Sequence, residues 1–165
     1  MAESHRPGVE PDDFKAALGR WASGITVVTA QGPDGPVGLT ASAFSSLSLH
    51  PPLILVCIGM ASHHHDDLTG APGFGVHILD STQEELSNTF AFKREDRFAG
   101  IAVEQGPLGV PMLPGCLARL ACERHAVADG GDHSILVGRV LHADVTDGQP
   151  LAWWQGGYRR LADLG

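Results

Sequence analysis

The sequence predicts a closed, antiparallel β-barrel with short helices around it. Short runs of apolar and β-branched residues recur along the chain, and segments rich in glycine, proline and aspartate separate them. The helical patterns between these runs are short, and few of them follow the strand–helix–strand order of a parallel sheet. Six or more strands of this kind favour a mainly β fold that closes on itself.

Length, composition and charge define the class of protein. A chain of 165 residues suits one domain, which we expect over residues 11–165, with residues 1–10 as a flexible tail. The formal net charge of −8 argues against nucleic-acid binding, because phosphate contacts require a basic surface. No apolar run reaches membrane-spanning length, and no apolar segment of a secretion signal is evident. We therefore expect a cytoplasmic protein without nucleic-acid or membrane partners.

The first expected element is a helix over residues 11–22. Two acidic residues, Asp12 and Asp13, suit the positive end of its dipole, and apolar side chains recur after them at helical spacing. A β-branched run then predicts a strand over 24–30. After a turn rich in glycine and proline, a second strand is expected to end near Phe44.

The remaining elements are strands and short helices. A capping box of Thr82 and Glu85 predicts the start of one of these helices. Two long strands towards the C-terminus are expected to form a hairpin around a glycine-rich turn. In chain order, we expect a strand over 53–59, a helix over 62–71, a strand over 74–79, a helix over 81–92, strands over 116–127 and 133–145, and a short C-terminal strand.

One strand differs from the others in composition. The segment GLTASAFSSLSLHPP, residues 38–52, carries several hydroxyl side chains with small apolar residues between them. A strand that only filled a core would use valine, isoleucine and phenylalanine throughout. Small residues let a backbone approach a flat ligand closely, and hydroxyl and amide groups can then bind its polar edge or phosphate. The pattern also fits an edge strand followed by a serine-rich loop, so composition alone leaves both interpretations open.

Three other segments carry candidate binding groups. Lys93, Arg94 and Arg97 form the densest positive cluster, which suits either a solvated helix end or the anionic tail of a ligand. His133 follows a two-glycine turn, where it is either a surface residue or a hydrogen-bond donor to a ligand. The three consecutive histidines at 63–65 do not predict a metal site, because neighbouring side chains project in different directions.

Several segments together carry a family resemblance: GITVVTA, GLTASAFSSLSLHPPLILVCI, FAFKREDRFAGI, GGDHSILVGRV and GGYRRL. In this order they resemble the flavin reductase-like family, and the resemblance runs from about Phe14 to Leu161. Members of that family include the reductase components of two-component flavin-dependent monooxygenases. The resemblance implies an FMN-binding split β-barrel, a homodimer, and NAD(P)H-dependent reduction of flavin.

The resemblance also implies roles for individual residues. Along the edge of the flavin ring it places Thr40, Ala41, Ser42 and Ala43. Beside the ring and the ribityl chain it places Ser45, Ser46 and Ser48. Near the flavin phosphate it places Ser62, His63, Phe92, Lys93 and Phe98. His133 is the residue that would position the nicotinamide nucleotide.

The expected function is that of an NAD(P)H:flavin oxidoreductase, which uses FMN or FAD as the flavin and NADH or NADPH as the electron donor. The expected partners are a second copy of the chain and a monooxygenase that receives diffusible reduced flavin. Two alternatives on the same barrel stay open. One is an enzyme similar to pyridoxamine-phosphate oxidase, and the other is a flavin-binding redox module without catalytic activity.

Overall fold

The computed structural model describes residues 8–92 and 95–162. The predicted tail over residues 1–10 therefore lies mostly outside the described residues, and so do Lys93 and Arg94 of the positive cluster. None of the helices in the described part of the chain is long and apolar enough to cross a membrane.

The elements confirm a mainly β chain with short helices. In order they are α1 (Pro11–Leu18), β1 (Ser23–Gly24), β2 (Thr26–Gly32), β3 (Gly35–Ala41), β4 (Phe44–Ser48), β5 (Leu53–Gly59), α2 (His65–Gly70), β6 (Gly73–Ile78), α3 (Glu84–Phe92), β7 (Glu104–Gln105), β8 (Pro111–Met112), β9 (Ala118–Asp129), β10 (His133–Val145), β11 (Ala152–Trp154) and β12 (Gly157–Arg159).

The main sheet has seven antiparallel strands in the order β3-β2-β6-β9-β10-β5-β4. Its two edge strands, β3 and β4, are consecutive in the chain and are separated only by residues 42 and 43. The sheet must therefore curl until its edges meet at this corner, which makes it a split barrel. Two smaller sheets, β1-β11-β12 and β7-β8, accompany it.

The corner at Ser42 and Ala43, which we call the seam, replaces part of the single strand that was predicted to end near Phe44. The Phe44 amide donates to the Ser42 carbonyl at 3.0 Å, and the Cys57 amide donates to the Ala43 carbonyl at 2.9 Å. These two bonds turn the chain from β3 into β4 and attach the turn to β5. Neither residue is a glycine or proline, and a single serine is only a weak turn signal, so no turn was expected here.

The barrel interior is filled by alternating side chains of the seven strands. Along β5, partly and fully buried residues alternate with the period of two that a pleated strand requires. Val56 and Phe74 are fully buried in this core. Gly138 in β10 has no side chain because a Cβ there would collide with the ring of Phe74 and the side chain of Cys122. The glycine thus allows the large ring to fill the barrel.

Three helix boundaries differ from the sequence-based expectation, and one of them is the start of α2, which lies at His65 rather than at residue 62. α1 ends at Leu18 rather than near residue 22, and the Gly19 amide closes its last turn. Thr82 does not cap α3, because its amide and its hydroxyl both donate to Asp80 Oδ1, at 2.9 and 2.7 Å. The helix begins at Glu84 instead, so the predicted capping box is wrong.

One buried histidine connects three parts of the fold. His77 in β6 is fully buried; its Nδ1 donates to the Val27 carbonyl at 2.9 Å, and its Nε2 accepts from the Leu113 amide at 3.0 Å. A backbone amide can only donate, so the ring must be neutral with its proton on Nδ1. Burial lowers the pKa of His77 to about 4, which keeps the ring neutral at pH 7.

Candidate functional site

A cavity of about 440 Å³ lies at the seam, where the edges of the sheet meet. We call it the seam cavity. It brings together β3, the end of β5, the loop after β5, α3 and the start of β10. Its lining residues are Leu39, Thr40, Ala41, Ser42, Ala43, Cys57, Gly59, Ser62, His63, Phe90, Ala91, Arg97 and His133.

The β3 wall of the seam cavity is made of small residues. Ala41 is buried, whereas Ser42 and Ala43 are exposed at the cavity mouth. The Thr40 hydroxyl donates to the Ser87 carbonyl of α3 at 2.7 Å, so its proton is already committed to the fold. The Ala41 carbonyl likewise accepts from the Thr26 hydroxyl at 2.7 Å. This wall therefore offers a flat surface and the side chain of Ser42 rather than a row of free hydroxyl donors.

One end of the seam cavity is positively charged. The Arg97 guanidinium reaches it and donates through Nη1 to the carbonyls of Gly38 at 2.6 Å and Phe90 at 2.9 Å. These bonds attach the residue to β3 and to the last turn of α3. Burial lowers the pKa of Arg97, but a guanidinium remains charged at any physiological pH. Arg97 thus supplies a fixed positive charge beside Ser62 and His63.

The three consecutive histidines have three different environments. His63 lines the seam cavity. His64 is half-buried, and its pKa is lowered by burial first and then by electrostatic interactions with Arg97 and His63. Its Nδ1 has no hydrogen-bond partner among the described residues, because Asp67 Oδ2 is 3.7 Å away. His65 Nε2 lies 2.9 Å from the Ser134 hydroxyl. Across residues 8–92 and 95–162, no three potential ligands are placed to hold a metal ion.

His133 also lines the seam cavity, at the start of β10. It pairs with Gly59 across β10 and β5, and its Nδ1 lies 2.6 Å from Asp132 Oδ1. This hydrogen bond lowers the pKa of Asp132 and orients the imidazole. The Nε2 edge lies over Gly59, where an added Cβ would stand 3.5 Å from it. A ligand in the cavity would therefore meet an oriented ring nitrogen.

Seven of the thirteen residues to which the family resemblance assigns a role line the seam cavity: Thr40, Ala41, Ser42, Ala43, Ser62, His63 and His133. The others lie elsewhere or outside the described residues. Ser45 lines a separate groove beside α1, Ser46 is exposed on β4, and Ser48 ends that strand. Phe92 is 78% exposed at the end of α3. Phe98 packs edge-on against Phe90 with a centroid separation of 5.0 Å, and Lys93 is outside the described residues.

The structure adds cavity residues that sequence reasoning did not assign. Arg97 was predicted, with Lys93 and Arg94, to be either a solvated helix end or a contact to an anionic ligand, but it was not placed beside the other site residues, and Cys57 was given no role. Gly59 carries no side chain, yet its position opposite His133 keeps the cavity open. One indication of this role was present in the sequence. Glycine is uncommon within strands and often marks a site where a ligand approaches the backbone closely, and Gly59 ends the apolar run of β5.

Comparison with known proteins gives a consistent result. A family model described as flavin reductase like domain matches residues 18–162. The FMN reductase (NADH) SmoA of Agrobacterium fabrum is 41% identical over 157 residues, which are 94% of this chain and 90% of that protein. The reductase component of 4-hydroxyphenylacetate 3-monooxygenase from Thermus thermophilus is 43% identical over 149 residues, or 90% of this chain and 95% of that protein.

A solved structure shares the whole fold. The NADH:FAD oxidoreductase SgcE6 of Streptomyces globisporus, in complex with NAD and FAD fragments, superposes with a TM-score of 0.87 at 35% identity. The match covers 96% of this chain and 99% of that one. Some relatives are longer, and the chain spans only 48% of a probable flavin reductase of Rhizobium meliloti.

Proposed function

Because the chain belongs to the flavin reductase-like family, we propose that it transfers a hydride from NADH or NADPH to FMN or FAD. The observation that carries this proposal is the seam cavity, in which a small-residue wall, a fixed positive charge and an oriented histidine meet. A bound flavin supplies the hydride acceptor itself, so the protein needs no acid, base or nucleophile for the transfer. Its residues have to bind and orient the two nucleotides.

The residues of the seam cavity fit a flavin nucleotide. The small side chains from Ala41 to Ala43 and the absent side chain at Gly59 leave room for a flat ring system. Ser62, His63 and Arg97 provide a hydroxyl, an imidazole and a guanidinium, which are suitable donors for an anionic phosphate. We assign the phosphate to this end of the cavity, and we keep Lys93 as a proposed further contact.

His133 is the proposed contact to the nicotinamide nucleotide. Its Nδ1 is held by Asp132, and its Nε2 edge faces the space above Gly59. A hydrogen bond from a fixed ring limits the orientations that a second nucleotide can adopt beside the first. The proposed roles of Thr40, Ala41, Ser42 and Ala43 rest on their place in the cavity wall. Those of Ser45, Ser46, Ser48, Phe92 and Phe98 rest on the family resemblance alone.

The proposed activity is tested by anaerobic mixing of the protein with FMN or FAD and then with NADH or NADPH. We expect the visible flavin absorbance to bleach at a rate proportional to protein concentration. Binding of flavin without bleaching by either donor would identify a non-catalytic flavin module. Reduction of bound FMN by pyridoxamine phosphate, with no bleaching by NADH or NADPH, would identify the other alternative enzyme. Absence of any flavin binding would refute the proposed activity and both alternatives.

We also propose that reduced flavin leaves the protein and reaches a partner monooxygenase. Several relatives are named as reductase components of such enzymes. The seam cavity is open at Ser42 and Ala43, and Thr40, Ser42 and Ser62 contribute uncharged hydroxyl groups to it. Neutral hydrogen bonds contribute about 1 kcal/mol each, which suits a nucleotide that dissociates. A cytoplasmic setting stays a prediction, which the three free cysteines among the described residues support.

The proposed homodimer rests on α1. None of its eight residues is buried, and Phe14 and Leu18 are 56% and 52% exposed. With Trp21, which is 76% exposed, they line an apolar groove that also includes Trp153. Three large apolar side chains on one surface indicate a contact rather than scattered exposure. A second copy of the chain would cover this groove, which adjoins the seam cavity at Ser42, Ala43 and Cys57.

Trp21→Asp should convert the homodimer into a monomer. The substitution places a charge in the apolar groove while costing the folded monomer little, because the side chain is 76% exposed. Light scattering coupled to gel filtration measures the mass directly. Val145→Asp, at a position 81% exposed on β10, is the matched control and should remain dimeric. A monomeric mass for the unmodified chain, with activity intact, would refute the dimer.

A further inference from the structure

A second, smaller cavity of about 280 Å³ adjoins the seam cavity. It lies between α3 and the C-terminal hairpin of β11 and β12, and we call it the aromatic compartment. Phe92, Trp153 and Tyr158 form its walls, and Asn88 provides an amide. Thr40, Ser42 and Ala91 line both cavities, so a single extended ligand can occupy the two spaces together.

The aromatic walls are held in place by contacts within the protein. Trp153 and Tyr158 pack edge to face, with ring centroids 5.0 Å apart. The Tyr158 hydroxyl lies 2.9 Å from the Ser87 hydroxyl and 2.8 Å from Asn88 Oδ1. Ser87 also accepts the Thr40 hydroxyl through its carbonyl. The compartment is therefore connected to the β3 wall of the seam cavity through α3, and its shape is preformed.

Asn88 retains hydrogen-bonding capacity. Its Oδ1 accepts from Tyr158 but has a second lone pair, and its NH₂ group makes no hydrogen bond within the described part of the chain. Beside it, the large apolar ring of Phe92 is 78% exposed, and exposure of such a ring to water is unfavourable. An amide with a free donor next to exposed aromatic faces matches the chemistry of a purine. Asparagine pairs with the N6 and N7 edge of adenine, and aromatic rings stack on its face.

We propose that the aromatic compartment binds the adenine ring of a dinucleotide whose other half lies in the seam cavity. This inference rests on the proposed function. A three-ring flavin needs the larger cavity, whereas the two-ring adenine suits the smaller one. Of the four nucleotides that the reaction can involve, FMN lacks adenine, and FAD, NADH and NADPH contain it. The compartment should therefore strengthen either the binding of FAD relative to FMN or the binding of NADH or NADPH relative to reduced nicotinamide mononucleotide.

The test compares equilibrium binding of nucleotides with and without adenine. The dissociation constants of FAD and FMN are measured by calorimetry or flavin fluorescence, and those of NADH and reduced nicotinamide mononucleotide by calorimetry. Phe92→Ala and Asn88→Ala are compared with Leu141→Ala, an exposed apolar position on β10 outside both cavities. Using ratios of dissociation constants removes any general effect of a variant on folding, because both ligands of a pair experience it equally.

In one of the two pairs, we expect Phe92→Ala to raise the dissociation constant of the adenine-containing nucleotide about five- to tenfold relative to that of its mononucleotide. A change in the FAD-to-FMN ratio identifies the flavin as the source of the adenine, and a change in the other ratio identifies the electron donor. Asn88→Ala should change the same ratio, and Leu141→Ala should change neither. If both ratios stay at their original values in a chain that reduces flavin, the adenine site is refuted. If no flavin is reduced by the unmodified chain, the proposed function fails instead.

Discussion

Gly59→Leu is expected to give a folded protein that has lost flavin binding. Gly59 lines the seam cavity at the end of β5, and an added Cβ would stand 3.5 Å from His133, an ordinary contact distance. The new side chain therefore costs the sheet little but occupies space in which the flavin ring is proposed to lie. We expect the flavin dissociation constant to rise more than tenfold, equivalent to more than about 1.4 kcal/mol. Flavin fluorescence titration measures it.

The matched control is Gly70→Leu. Gly70 ends α2, and nothing lies within 4 Å of a Cβ added there, so the same change is made in open space. This variant should bind flavin as the unmodified chain does. Circular dichroism and thermal unfolding establish that both variants are folded. If a folded Gly59→Leu variant binds flavin with unchanged affinity, the flavin does not occupy the seam cavity.

The free energy of unfolding should fall by about 3 kcal/mol as the pH is lowered from 6.5 to 4, through His77 alone. Its folded-state pKa of about 4 lies below the ordinary value of 6.5, because the ring is fully buried. The unfolded chain therefore takes up the proton first as the pH falls. The stabilising effect of the neutral ring is complete above pH 6.5 and is lost progressively towards pH 4. Urea unfolding at a series of pH values measures the slope of the free energy of unfolding against pH.

His77→Gln should flatten this slope, since glutamine does not titrate. The variant should also be less stable at pH 7, because a glutamine cannot reproduce both bonds to Val27 and Leu113 with the same geometry. The same substitution at His125, which is exposed on β9, should leave the slope unchanged. An equal slope in His77→Gln and in the unmodified chain would show that other groups cause the acid sensitivity.

The strands of the barrel could be predicted well because their patterns are strong. The strands over 53–59 and 133–145 have the bounds that the structure shows. The first is a continuous apolar run, and the second is rich in β-branched and apolar residues. The seam could not be predicted, because neither Ser42 nor Ala43 is a glycine, proline, asparagine or aspartate, and a single serine is only a weak turn signal. Their corner is fixed in part by the amide of Cys57 in β5, which donates to the Ala43 carbonyl, and this contact is not visible in the local sequence.

The candidate site was predictable where it follows one strand and less so where it combines distant segments. The wall from Thr40 to Ala43 was found from its composition. The displacement of Ser45 to the α1 groove follows from the seam, since β4 runs along the sheet in a new direction and directs its side chains elsewhere. Arg97 was not assigned to the cavity, because a basic residue in a loop shows nothing of its bonds to Gly38 and Phe90 until the fold is known.

The seam has a consequence for how members of such a fold diverge. The two residues that join its edge strands are exposed, and the fully buried core residues belong to the strands on either side. Substitutions at exposed positions usually change stability by no more than about 0.5 kcal/mol. A mutation at Ser42 or Ala43 therefore alters the mouth of the ligand cavity with almost no penalty in folding. Evolution can exchange one bound nucleotide for another at this corner while the barrel that supports it remains unchanged.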